Sequence, residues 1–219
     1  MSQNEGTSLE TTISRIVSRI ETKNAAREQA LAESRQVIRH AANSIRAIHR
    51  NELEQAQKLL EQGRERLGTI KQVLANYQDL YWAGYVQDAQ KEYTEARLTY
   101  ALVKNEPLPS PEDLGVEDAP YLNGLGEAAS ELRRYILDIL RHGQESSARS
   151  EELLDRMDEV YSYLVTIDYP DALTGGLRRT TDLVRGVLEK TRGDLTLTLR
   201  HQVLEAALER AAQRNVEGQ

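Results

Sequence analysis

The chain has 219 residues, no cysteine and no phenylalanine; 29% of it is charged, with 35 acidic against 28 basic side chains and a formal net charge of −7. The length suits one large domain, and a helical chain of this size buries a core without disulfides or metal staples. The acidic balance excludes a protein that coats nucleic acid over its whole exterior, and zero cysteine excludes a Cys nucleophile and fits a reducing compartment. Composition alone favours a helical scaffold or adaptor. Met1 to Gly6 carry no apolar run and no stretch reaches 18 apolar residues, so we expect a cytoplasmic protein with no signal peptide and no membrane segment.

Helix formers dominate and strand-type alternation is almost absent. Thr7 and Glu10 have the spacing of a capping box and open a first helix over 7–50, with apolar positions Leu9, Ile13, Ile16, Val17 and Ile20, then Val37, Ile38, Ala41, Ile45 and Ile48. Its length, ~60 Å at 1.5 Å per residue, exceeds what a compact bundle needs and points to packing against other subunits. A second helix over 51–75 has Leu53, Leu60, Leu67, Ile70 and Leu74 as its stripe, weakened locally by Gly63 and Gly68. A third over 78–104 carries Trp82, Val86, Ala89, Tyr93, Ala96, Tyr100 and Val103 in alternating steps of four and three, a packing seam.

Pro107, Pro109, Pro111 and Pro120 then mark 105–120 as a surface loop. A fourth helix over 121–141 buries Leu125, Ala129, Leu132, Ile136 and Ile139 and stops at His142-Gly143. A fifth spans 147–167, before Pro170, and a last one spans 171–214, weakened at Gly193. The expected fold is all-α: one domain, residues 1–219, of six or seven antiparallel helices.

Two carboxylate pairs carry the candidate chemistry. Glu92 and Glu95 form the only Glu-x-x-Glu of the chain, and Glu127 and Glu131 stand four apart on the fourth helix. Both spacings put the two acids on one helix face beside its apolar stripe. If the two helices are neighbours, four carboxylates converge, and hard oxygen ligands suit Mg²⁺ or Mn²⁺ and metal-assisted phosphodiester hydrolysis. Equal spacings at Glu61/Glu65 and Glu205/Glu209 read as solvated faces, and on spacing alone the same reading weighs against a metal site. A di-iron bundle needs Glu-x-x-His on two helices, and none of His40, His49, His142 and His201 follows a Glu by three. Gly124-Leu125-Gly126 is too short for a phosphate loop; it eases a helix start or a close helix contact. Arg35, Arg39, Arg46 and Arg50 on the first helix form a candidate nucleic-acid-binding stripe, with Arg178, Arg179, Arg185 and Arg192 on the last; acid-paired solvated faces are the plainer reading. Tyr77, Tyr81, Trp82 and Tyr85 have the chemistry to stack on unpaired bases, although core or subunit packing is the commoner use of such residues.

Several segments share their order and spacing with one family. Ser34-Arg35-Gln36-Val37-Ile38-Arg39 through Ser44-Ile45-Arg46-Ala47-Ile48-His49-Arg50 resembles the first helix of translin-family proteins. Glu92-Tyr93-Thr94-Glu95-Ala96 resembles the Glu-Tyr-x-Glu-Ala run of translin-associated factor X. Tyr121-Leu122-Asn123-Gly124, then Glu127 and Glu131-Leu132-Arg133-Arg134, resembles that family's Tyr-Leu-x-Gly-x-x-Asp-x-x-x-Glu-Leu-x-Arg. Gly176-Leu177-Arg178-Arg179 and Glu189-Lys190-Thr191-Arg192-Gly193-Asp194-Leu195-Thr196 are similar to archaeal members, so the resemblance spans roughly residues 9 to 196.

The resemblance implies an all-helical fold assembling into a hollow homo-oligomer, typically an octamer, around nucleic acid. It further implies a Mg²⁺-dependent endoribonuclease acting on single-stranded RNA, with Glu92, Glu95, Glu127 and Glu131 as catalytic and metal-binding acids. The alternative is a non-catalytic, translin-like protein that binds RNA or single-stranded DNA; a helical shell that binds protein is a third reading. Two departures stand out: Glu127 replaces the family's Asp, and Tyr81 to Asp88 lacks the basic and His residues with which translin holds nucleic acid.

Overall fold

A computed structural model describes residues 8–141 and 147–217. Among these it contains nine helices and no strand: α1 (Leu9–His49), α2 (Leu53–Val73), α3 (Gln78–Tyr81), α4 (Gly84–Lys104), α5 (Pro111–Leu114), α6 (Asp118–Leu140), α7 (Ser147–Leu164), α8 (Asp171–Thr174) and α9 (Leu177–Glu217). Thr7, with its capping box, and the His142-Gly143 stop lie outside the described residues. No helix among them is long and apolar enough to cross a membrane.

The differences from the sequence reading have local causes. Asn51 adopts a left-handed φ of 59°, which ends α1 and delays α2 to Leu53. The helix expected over 78–104 breaks at Trp82 and Ala83, where Ala83 turns extended (ψ 147°) and Gly84 restarts the helix. The Gln87 amide donates to the Tyr81 carbonyl across this break, and the Tyr81 hydroxyl donates to Glu117 at 2.6 Å. Within the expected loop, Ser110 and Asp113 form a reciprocal capping box with Pro111 at the first helical position, giving the single turn α5. Helix α6 starts at Asp118, because Pro120 falls in its first turn, where the missing N–H costs nothing. The expected last helix divides where Gly175 and Gly176 both take positive φ; Gly193 leaves α9 continuous.

Packing places α4 at the centre, against α1 and α2 on one side and α6 on the other; α6 in turn packs on α7 and α9. Ile48, Ile70, Leu74, Leu98, Leu132, Ile136, Leu153 and Met157 are fully buried in the resulting core. Two seams depend on missing side chains. Gly63, expected to weaken α2, is where the Tyr93 ring packs, 3.1 Å from the place of an added Cβ. On α6, a Cβ at Gly124 would stand 2.7 Å from Thr94 Cβ and 2.8 Å from the Lys91 carbonyl oxygen, so α4 and α6 run backbone to backbone here.

Candidate metal centre at the α4–α6 seam

That close approach brings three of the four predicted carboxylates together. Glu92 and Glu95 project from α4 and Glu127 from α6, and one carboxylate oxygen of each lies within 4.8 Å of the other two. All three side chains are partly buried, so like charges gather where water screens them incompletely. Glu95 feels this most. Burial, then the negative charges of Glu127, Glu92 and Glu131, push its carboxyl up to about 8, with Lys91 opposing.

Glu131 is near enough to raise Glu95 but is not a fourth member of the triad. It is held by His49, whose Nε2 lies 2.7 Å from Glu131 Oε2 at the C-terminal end of α1. A carboxylate oxygen only accepts, so His49 carries its proton on Nε2. With a side chain only 3% exposed, His49 fixes where Glu131 points.

Lys91 completes the cluster. Its Nζ is 2.8 Å from Glu127 Oε1 and 3.3 Å from Glu92 Oε1, joining the two helices through charge. Although burial works against the ammonium, the bond to Glu127 and the charges of Glu127 and Glu92 leave its pKa raised overall.

Beside the cluster opens a groove of about 810 Å³ between α4, α6 and the α8–α9 turn. Lys91 and Glu127 form its inner wall, and Trp82, Leu173, Leu183 and Arg179 stand around it. Asn123 holds the turn in place, donating to the Thr174 carbonyl at 2.7 Å and accepting from the Thr180 hydroxyl at 2.6 Å. Of the four aromatics singled out in the sequence, only Trp82 lines the groove; its ring is 57% exposed and meets Tyr81 edge-on at 5.5 Å. Tyr77, Tyr81 and Tyr85 pack against the core.

The arginines fall elsewhere. Arg35, Arg39, Arg46 and Arg50 are exposed along α1 and none lines the groove. Arg50 is bound by Glu52 through two hydrogen bonds, and Arg46 by Asn43. On α9, Arg178 pairs with Asp168 and Arg192 with Asp158 and Glu189; Arg179 reaches the groove. Sequence reasoning gave no role to His49 and passed over Lys91. Neither has a local signal, since their partners on α6 are 82 and 36 residues away.

Comparison with known proteins places this arrangement in a class. No protein-family model matches the chain. The fold superposes on that of AfC3PO with a TM-score of 0.81 in two structures. One is of its complex with duplex RNA (30% identity, 88% of this chain, 98% of that one), the other of AfC3PO itself (31%, 88% and 99%). The crystal structure of apo-NeC3PO shares the fold at 21% identity, with a TM-score of 0.74 over 90% of this chain and 98% of that one. An uncharacterized protein of Methanocaldococcus jannaschii is 28% identical over 89% of this chain and 86% of its own length. The chain belongs to the C3PO/translin family.

Proposed function

We propose that this protein is a divalent-metal-dependent endoribonuclease of the translin-associated factor X type, cutting single-stranded RNA within a homo-oligomeric shell. The observation that carries this reading is the triad of Glu92, Glu95 and Glu127 oxygens within 4.8 Å of one another. The donor set fits Mg²⁺ or Mn²⁺. Octahedral coordination at about 2.1 Å brings ligand oxygens to about 3–4.2 Å of one another, close to the spacing already present. Glu95 fits as well: burial, then the charges of its neighbours, push its carboxyl up, and a cation among them would relieve that repulsion and favour the ionised ligand. When bound, the metal supplies an activated water and stabilisation of the leaving oxygen.

The chain's own groups do the rest. Glu92, Glu95 and Glu127 hold the ion, and Glu131, steadied by His49, is placed to accept a proton from the attacking water. The groove takes the strand, with Arg179 as a phosphate contact and Trp82 as a stacking face for an unpaired base. The complex of AfC3PO with duplex RNA supports RNA as the ligand class.

One observation favours the non-catalytic, translin-like alternative: Lys91 already bridges Glu92 and Glu127 and offsets part of their charge, as it would in a cluster that never takes metal. Incubation of labelled single-stranded RNA with Mg²⁺, and with chelator, separates the two. The nuclease reading expects metal-dependent cleavage that Glu92→Gln and Glu127→Gln both abolish with assembly intact. RNA binding without cleavage leaves the alternative, and full activity in both variants removes the assigned roles. Trp82 is the only tryptophan of the chain, so quenching of its fluorescence by RNA reports occupancy of the groove directly.

A further inference from the structure

Lys91 lies between two surroundings. On one side its ammonium bridges Glu127 Oε1 (2.8 Å) and Glu92 Oε1 (3.3 Å), and on the other its side chain forms part of the groove wall. It is about a quarter exposed, at 26%, so it has room to move toward the groove. Resting on the metal reading above, we propose that Lys91 is a working residue of the site. Its ammonium holds the place of a cation between Glu92 and Glu127 until a divalent ion arrives, and is then released into the groove to meet a phosphate of the bound strand.

The argument is electrostatic. A divalent ion held by Glu92 and Glu127 would stand within a few ångströms of an ammonium bonded to the same two carboxylates, and their repulsion at such short range drives the more mobile cation away. The lysine is the one that moves, because its charge sits at the end of a flexible four-carbon stem with three rotatable donors. Once displaced it needs an anionic partner, and the groove it lines is the space assigned to the strand. Metal therefore frees a contact for RNA, and RNA holds the lysine away from the metal. By linkage each ligand raises the other's affinity by the same factor. A metal site that loads fully only with substrate present follows from one side chain.

Mn²⁺ titration calorimetry on the full chain tests this with wild type, Lys91→Gln, Lys91→Arg and a Glu95→Gln control. Removing the competing charge is expected to tighten Mn²⁺ binding in Lys91→Gln by about tenfold or more, given a unit charge a few ångströms away at an effective dielectric near 20. Lys91→Arg keeps the charge and is expected to stay near wild type. At saturating Mn²⁺, Lys91→Gln is expected to raise KM for single-stranded RNA more than it lowers kcat. Unchanged or weaker Mn²⁺ binding by Lys91→Gln, with its circular dichroism intact, overturns the role of Lys91. If wild type binds Mn²⁺, Glu95→Gln does not and Lys91→Gln matches wild type, the metal reading stands and this inference alone falls. If wild type binds none, the metal reading falls and this inference with it.

Discussion

Glu95 is the residue on which pH acts. Burial and the charges of Glu127, Glu92 and Glu131 push its carboxyl up to about 8, from the ordinary glutamate range near 4.5. A metal ligand must be ionised, so the proposed metal binding at neutral pH would expel this proton. Mn²⁺ affinity is expected to rise with pH up to about 8 and flatten above it, and the binding heat at pH 7 to vary with the ionisation enthalpy of the buffer. Stability runs the other way. A folded-state pKa above the unfolded value means that the contribution is fully present below about 4.5 and lost as pH rises through about 8. Glu95→Gln removes that loss, so in chelator the variant is expected to gain on wild type in urea melts at pH 9 relative to pH 5. Equal pH dependence in the two proteins contradicts this assignment. Spacing put Glu92 with Glu95 and Glu127 with Glu131 on one helix face each, and the family resemblance singled these pairs out from equal spacings elsewhere. The structure gathers Glu92, Glu95 and Glu127, while Glu131 is held by His49. Lys91 and His49 were not legible in the sequence, because their functional partners lie on α6, and only the packing of α1, α4 and α6 makes those pairs.

The α4–α6 pair is the element that gathers Glu92, Glu95 and Glu127 into one cluster, and Gly124 sets its spacing. Alanine at this position meets the Lys91 carbonyl oxygen at 2.8 Å and Thr94 Cβ at 2.7 Å, and backbone cannot rotate away as a flexible side-chain end can. Gly124→Ala is therefore expected to cost about 1–3 kcal/mol as α6 is pushed from α4. It is also expected to weaken Mn²⁺ binding, because Glu92 and Glu127 separate with their helices. Gly193→Ala is the contrast: nothing lies within 4 Å of its added Cβ, it is exposed in the continuous α9, and alanine there is expected to stabilise by about 0.5–1 kcal/mol. Chemical denaturation of both variants checks the pair of signs. The Gly-Leu-Gly run read as easing a helix start or a close contact, and the structure shows the contact. Helices were legible from periodicity, but the break at Trp82 was not. There Trp82 continued the apolar spacing of α4, yet it turns out of the core beside the groove while Tyr81 is tied to Glu117.

At the scale of the whole molecule, both 41-residue helices extend past the core. The first core residue on α1 is Ala30 and the last on α9 is Leu195. Beyond them Leu9, Ile13, Val17 and Ile20 stand 45–77% exposed, as do Leu197, Val203, Leu204 and Leu208 at 56–68%. Exposed apolar rows of this kind mark association surfaces; on α1 the steps are four, four and three, and on α9 Leu197, Leu204 and Leu208 stand seven and four apart, so each row gives a helical face for another helix. Assembly through these rows is the physical basis for the proposed homo-oligomer. The double variants Ile13→Ser/Ile20→Ser and Leu204→Ser/Leu208→Ser are each expected to lower the particle mass in light scattering while keeping the helical circular dichroism signal. Unchanged mass in both excludes these rows as the contacts. The proposed cleavage is expected to respond differently from assembly, because His49, Lys91 and all four glutamates come from α1, α4 and α6 of one chain. One chain thus supplies every acid of the proposed site, with Lys91 and His49. The smaller particles are expected to cut short single strands as before, and to admit long or structured RNA that an intact shell excludes. If mass and cleavage fall together, the neighbouring subunit supplies part of the groove.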